Sequence, residues 1–305
     1  MLKSPGAALT APGSPNAPEG HQMQAITRHI HPGWLLVAPF LLVVVAFYVG
    51  PLVNILWLSV TDPEPGLGNY RELVTSDAMG RILWTTFRTC LVTTLFSVAI
   101  GYSLAYAMVH AHRKNQSIML TLLLISFWIS VLVRTFAWLM LLGHSGLVNT
   151  GLETLGVIDR PIRFMRNELG VLIGMVHYMV PYAVLPLMAN MQTLDDRVMA
   201  ASRNLGASGA QTFRRIYLPL TLPGLVASSL LVFILSLGFY VTPAILGGGK
   251  VLMVAEYISV QLLVTLKWGT AAMLGTLMLL GVLALLWIMS RFMQLSAVFG
   301  GGATR

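Results

Sequence analysis

The sequence is poor in charge and almost empty of cysteine. Only 10% of its 305 residues are Asp, Glu, Lys or Arg, and 56% are hydrophobic. A soluble domain carries about 25% charged residues. This excludes an ordinary soluble globular domain and points to an all-α polytopic membrane protein. The single cysteine, Cys90, lies in an apolar run. It permits no intrachain disulfide and reads as a small core residue. There is no GxxxxGK[ST] stretch to cradle nucleotide phosphates. No HExxH, no Cys/His metal spacing and no GxSxG elbow occurs either. An enzyme reading therefore has no catalytic residue and no metal ligand to stand on. The net charge of +8 is not accompanied by a basic cluster interleaved with exposed aromatics, which argues against nucleic acid.

What is present is a series of long apolar runs. Six are long enough to cross a bilayer core, which takes about 20 helical residues. They fall near 34–60, 84–110, 117–142, 170–191, 223–246 and 269–293. Gly50-Pro51 marks a kink or break in the first; Pro181 and Pro186 interrupt the fourth, and the fifth ends at Pro243. Residues 1–33, rich in Pro, Gly, Ala and Ser, read as a disordered cytoplasmic tail, and 294–305 as a short cytoplasmic tail. The connection at 111–116 holds Arg113 and Lys114 and no acid, so it belongs inside, with the amino terminus cytoplasmic. Asn69–Leu73 and Asn149–Leu155 on the outer side read as short surface helices.

The longest polar interruption, Thr193–Pro219, reads as two short helices forming a rigid cytoplasmic elbow. Thr193 with Asp196, and Ser208 with Gln211, have the spacing of capping boxes. Gly206 between them is suited to a left-handed helix end. Leu194, Val198, Ala201 and Leu205 share one helical face, and Pro219 stops the second helix.

By these boundaries no carboxylate lies inside any run, which disfavours a proton- or sodium-coupled carrier. His177 is the one titratable exception and reads as a packing residue. Arg88, near the outer end of the second run, can snorkel to the surface. Arg134 lies deeper, about 13 Å from the outer boundary near 143 at 1.5 Å per residue. It is either one half of a structural pair or a wall of the pathway. Phe127, Trp128, Phe136, Trp138, Tyr178, Tyr182, Phe239 and Tyr240 supply aromatic surface that can face a cation or simply pack. Trp128, Arg134, Tyr178, Tyr182, Phe239 and Tyr240 are the candidate pathway residues.

The elbow resembles the signature of type I ABC importer permeases, usually written EAA, three residues, Gly, nine residues, Ile, any residue, Leu-Pro. Ala200-Ala201-Ser202 is followed by three residues and Gly206, then by nine and Ile216, Tyr217, Leu218, Pro219. Ala200 stands where the family has Glu, and Ser202 where it has Ala. The stretches 127–143, 177–187 and 237–248 resemble the first permease of spermidine/putrescine importers. The resemblance implies a six-span inner-membrane permease that pairs with a second permease, two cytoplasmic ATP-binding subunits and a periplasmic substrate-binding protein. ATP and its magnesium would then sit on the partner, with no cofactor on this chain. The coupling residues it implies are Leu194, Val198, Ala200, Ala201, Ser202, Leu205, Gly206, Ile216, Leu218 and Pro219. The substrate it implies is a polyamine, with an opine or other amino-acid derivative as the alternative. A stand-alone secondary carrier is the reading from another class.

Overall fold

The computed structural model describes the backbone of residues 32–300. The tail expected at 1–33 lies, up to residue 31, outside the described residues, as do 301–305. The chain divides into two units, Met1–Gly50 and Pro51–Arg305. In the first, helix α1 (Pro32–Val44) runs into a π turn at Val45–Val49.

The remaining elements are all helical. In order they are α2 (Gly50–Thr61), α3 (Gly68–Thr75), α4 (Asp77–His110), α5 (Arg113–Trp128), α6 (Val131–Leu141), α7 (Leu147–Thr154) and α8 (Glu168–Met191). Then come α9 (Asp196–Asn204), α10 (Gly209–Thr212), a second π turn (Phe213–Tyr217), α11 (Leu218–Leu237), α12 (Val241–Gly247), α13 (Val254–Leu263) and α14 (Trp268–Gly300). Among the described residues five helices are long and apolar enough to cross a membrane, or six when the bent pair α5 and α6 counts as one. The short surface helices expected at 69–73 and 149–155 are α3 and α7. Helix α14 continues past 293, where a tail was expected to begin.

The core of the larger unit is α4, α8 and α11 packed on one another. Met179, Ala183, Val184 and Leu187 of α8 are wholly buried against Ala105 and Met108 of α4 and Val232 of α11. Small residues set the spacing. A Cβ at Gly101 would come within 2.7 Å of the Ala183 Cβ, and one at Gly224 within 2.6 Å of the Asn190 Cβ. Pro181 and Pro186 sit inside α8 without dividing it. At the amino end of α8, Arg88 forms an ion pair with Glu168. Snorkelling alone did not anticipate this partner.

Three further boundaries differ from expectation. The third apolar run is not one helix: α5 and α6 meet at a 96° bend. The fifth run ends at Leu237, not Pro243, and resumes as α12 after Gly238. Finally, Pro219 does not stop a helix. The helix runs from Gly209 to Leu237, and Pro219 lies in the first turn of α11. Proline lacks an N–H and crowds the preceding turn. The wide π turn just before it gives the ring room: the Leu218 N–H bonds the Phe213 carbonyl, five residues back. The same device precedes Pro51, where the Gly50 N–H bonds the Val45 carbonyl.

Candidate functional site

Two sites emerge at different levels of the bundle. The first is the elbow between α8 and α11. Its opening cap is Asp195, whose carboxylate accepts from the Arg197 N–H at 2.9 Å. Thr193, expected to cap this helix, lies two residues ahead of that cap and donates its hydroxyl to the Asn190 carbonyl. The second box does: Gln211 Oε1 accepts from the Ser208 N–H, and Ser208 Oγ accepts from the Gln211 N–H. Gly206 has φ +84°. The Ala207 N–H bonds the Ser202 carbonyl and the Gly206 N–H the Arg203 carbonyl, the paired bonds of a glycine-terminated helix.

The apolar stripe read along this elbow is divided. Leu194 packs inward against the α4–α8–α11 core, as does Ile216. Val198, Ala201 and Leu205 point outward, Leu205 with 89% of its surface exposed. Ala200 is exposed as well, and Leu218 is half-buried. On the opposite face Met199 and Ser202 are buried. The elbow is thus fastened by one face and presents three apolar side chains on the other.

The second site lies where two helix breaks meet beside α8. Helix α5 ends at Trp128 and leaves carbonyls without intrahelical donors. Arg134, one turn into α6, turns its guanidinium back onto them: Nη2 donates to the Ser126 carbonyl and, at 3.2 Å, to the Ile129 carbonyl. A cation at a helix carboxyl end also complements the dipole. Arg134 is therefore tied to carbonyls within its own chain, and only 6% of it is exposed. Its guanidinium also lies 4.8 Å from the centre of the Tyr178 ring. Helix α12, after the second break, reaches α6 through the Thr135 and Thr242 hydroxyls, 3.2 Å apart.

Around this point the rings of Tyr178 and Phe239 are 4.6 Å apart, Tyr178 and Tyr182 5.7 Å, and Tyr182 and Phe127 5.1 Å. Four of the six candidate pathway residues, Arg134, Tyr178, Tyr182 and Phe239, are thus brought together. Trp128 and Tyr240 are not. Trp128 is 84% exposed at the end of α5, and Tyr240 caps α12 without a ring partner among the described residues. Phe127 takes their place. Next to this cluster, Trp138 Nε1 donates to Nδ1 of the exposed His177 at 3.0 Å. Both line a cavity of about 520 Å³ whose other walls, Phe96, Leu123 and Val180 among them, are mainly apolar. Discontinuous helices near the middle of a membrane bundle are where transporters place substrate sites.

Residues 97–295 match the binding-protein-dependent transport system inner membrane component family. This chain belongs to that family. It is a multi-pass inner-membrane protein and a transport permease. A spermidine/putrescine transport system permease protein PotB from Haemophilus influenzae is 32% identical over 261 residues, covering 84% of this chain and 89% of that one. Its namesake from Escherichia coli K12 is 36% identical over 202 residues, 66% of this chain and 73% of that one. Among solved structures, a bacterial ABC transporter that imports the acidic polysaccharide alginate superposes with a TM-score of 0.69 at 17% identity, covering 87% of this chain and 96% of its own. That likeness shows the permease fold and, at this identity, nothing of the substrate.

The aromatic group joining the elbow to α4 was missed in the sequence. Tyr102, Tyr106 and His110 recur every four residues, as do Phe213 and Tyr217, and that spacing was the available signal.

Proposed function

We propose that this chain is one permease of an ATP-driven polyamine importer of the putrescine and spermidine type, working with a second permease, two ATP-binding subunits and a periplasmic substrate-binding protein. The observation that carries this reading is the 32% identity, across 84% of the chain, to a protein named as a spermidine/putrescine permease. The chemistry of the ring cluster supports it. Ammonium groups are attracted to aromatic faces, and Tyr182, Phe239 and Phe127 gather around Tyr178, whose own ring already meets the Arg134 guanidinium. The neighbouring apolar cavity suits the methylene segments of a polyamine. Nη2 of Arg134 is engaged by the Ser126 and Ile129 carbonyls, which gives this cation a structural role at the helix break.

In this reading the amino terminus and the elbow are cytoplasmic. Val198, Ala201 and Leu205 fill a groove of an ATP-binding subunit, and the elbow passes its displacement to α11, into which it runs without interruption. ATP and magnesium belong to that subunit, since this chain has no phosphate-cradling loop. The test is reconstitution of the full complex in liposomes with labelled putrescine, spermidine and an opine. ATP-dependent uptake of the polyamines supports the proposal. Uptake of amino-acid derivatives alone, or uptake without the ATP-binding subunit, overturns it.

A further inference from the structure

Besides its chain, which joins α8 to α11, and its buried face, the elbow is attached to the bundle by aromatic rings. Its chain continues into α11. Its rings reach α4, a helix far away in sequence. Phe213 and Tyr217 of the π turn are stacked, 5.8 Å between centres and 18° between planes. The Tyr106 ring meets both edge-on, at 5.9 and 5.3 Å. His110, one turn along α4, lies 4.2 Å from Tyr106 and 5.7 Å from Tyr217, with Nδ1 held 2.9 Å from the Tyr106 carbonyl. Tyr102 extends the group on the other side, 6.2 Å from Phe213, and its hydroxyl lies 2.9 Å from the Thr221 hydroxyl of α11.

We propose that Tyr106 is a positioning residue of the transport cycle, the centre of a ring joint that makes α4 follow the elbow. This rests on the reading of the elbow as the ATPase-driven part. Edge-on ring pairs are specific in geometry. Sliding α4 past the π turn would break several at once, so the two move as one body. Helix α4 in turn packs closely on α8, where a Cβ at Gly101 would lie 2.7 Å from the Ala183 Cβ. The motion therefore reaches α8, which carries Tyr178 and Tyr182 in the ring cluster. Without the joint the elbow would act directly only on α8 and α11, the helices its chain joins, and α4 would lose its ring link to it.

The test uses the complete complex in liposomes and compares Tyr106→Leu with Tyr106→Phe. Tyr106→Leu should keep ATP hydrolysis while uptake per ATP falls about fivefold or more, the smallest usual size of an energetic coupling. Tyr106→Phe keeps the ring and should restore the wild-type ratio. A normal ratio in Tyr106→Leu overturns the joint and leaves the importer reading intact; absence of ATP-driven uptake by the wild-type complex overturns both. A second measurement does not depend on assembly of that variant. Spin labels at Ala107→Cys and Ala210→Cys in the wild-type background should keep one distance with and without trapped nucleotide. A nucleotide-dependent change in that distance also overturns the proposal.

Discussion

Ser202 Oγ and Thr212 Oγ1 lie 2.9 Å apart and fasten the two helices of the elbow to each other. Both residues are buried, and Ser202 Oγ lies 2.9 Å from the Met199 carbonyl as well. Serine at this position, where the family signature has alanine, is thereby explained: the hydroxyl has a partner, and that partner is across the elbow.

Removing one side of this pair should loosen the elbow. Ser202→Ala leaves the Thr212 hydroxyl buried without that bond, at a cost of about 1–3 kcal/mol. Faster amide hydrogen exchange over 196–212 in the variant is the expected readout. Ser202→Ala combined with Thr212→Val removes both polar groups and should recover part of the protection. Exchange in the single variant at the wild-type rate would contradict a stiffening role.

Gly206 tests the same part through the backbone. Its φ of +84° suits glycine, and a Cβ placed there would meet nothing within 4 Å. Any penalty therefore comes from the backbone alone. Gly206→Val forces a β-branched residue into a region it avoids, whereas asparagine tolerates it. Gly206→Val should uncouple ATP hydrolysis from uptake and Gly206→Asn should retain most coupling. The measurement is uptake per ATP in liposomes, and equal behaviour of the two variants would refute the argument.

How far the sequence could be read depends on whether a feature is local. Gly206, Ser208 and Gln211 were legible because a helix end is specified within a few residues. The cap at Asp195 was assigned to Thr193 because both are good capping residues and spacing alone does not choose between them. The breaks after Trp128 and Leu237 were hidden for a different reason. The apolar run is continuous across each, and what stabilises the first break is the guanidinium of Arg134, which folds back only in three dimensions. For the same reason Arg134 read as a charge stranded at depth, when the broken helix supplies the carbonyls that accept its protons. The inward turn of Leu194 followed from its position just before α9 begins, outside the helical register used to place it on the stripe.

Arg134 should matter first for structure. Arg134→Met keeps much of the apolar stem but leaves the Ser126 and Ile129 carbonyls without this donor. The loss of a charged hydrogen-bonding group in a buried setting is expected to cost about 1–3 kcal/mol. We expect a lower melting temperature of the detergent-solubilised complex and faster proteolysis of the 126–134 segment. Unchanged melting combined with a changed substrate preference would instead make Arg134 a pathway residue.

Glu256 supplies a pH-dependent prediction outside the spanning helices. It sits in the first turn of α13, only 8% exposed, and its Oε2 is buried without a hydrogen-bond partner among the described residues. Burial pushes its carboxyl above the ordinary value of 4.5. A raised folded-state value means the native protein holds this proton more tightly than the unfolded chain does. The associated stability is fully present below about 4.5 and is lost as pH rises through the higher folded value. Ionising this carboxyl is therefore a liability in the folded protein. Glu256→Gln, close in shape and always neutral, should raise the melting temperature at pH 7.5, and the gain should shrink as the pH is lowered towards 4.5. A variant that is less stable than wild type at pH 7.5 would mean that the carboxylate has a cationic partner in the assembled complex, and the burial argument would fail.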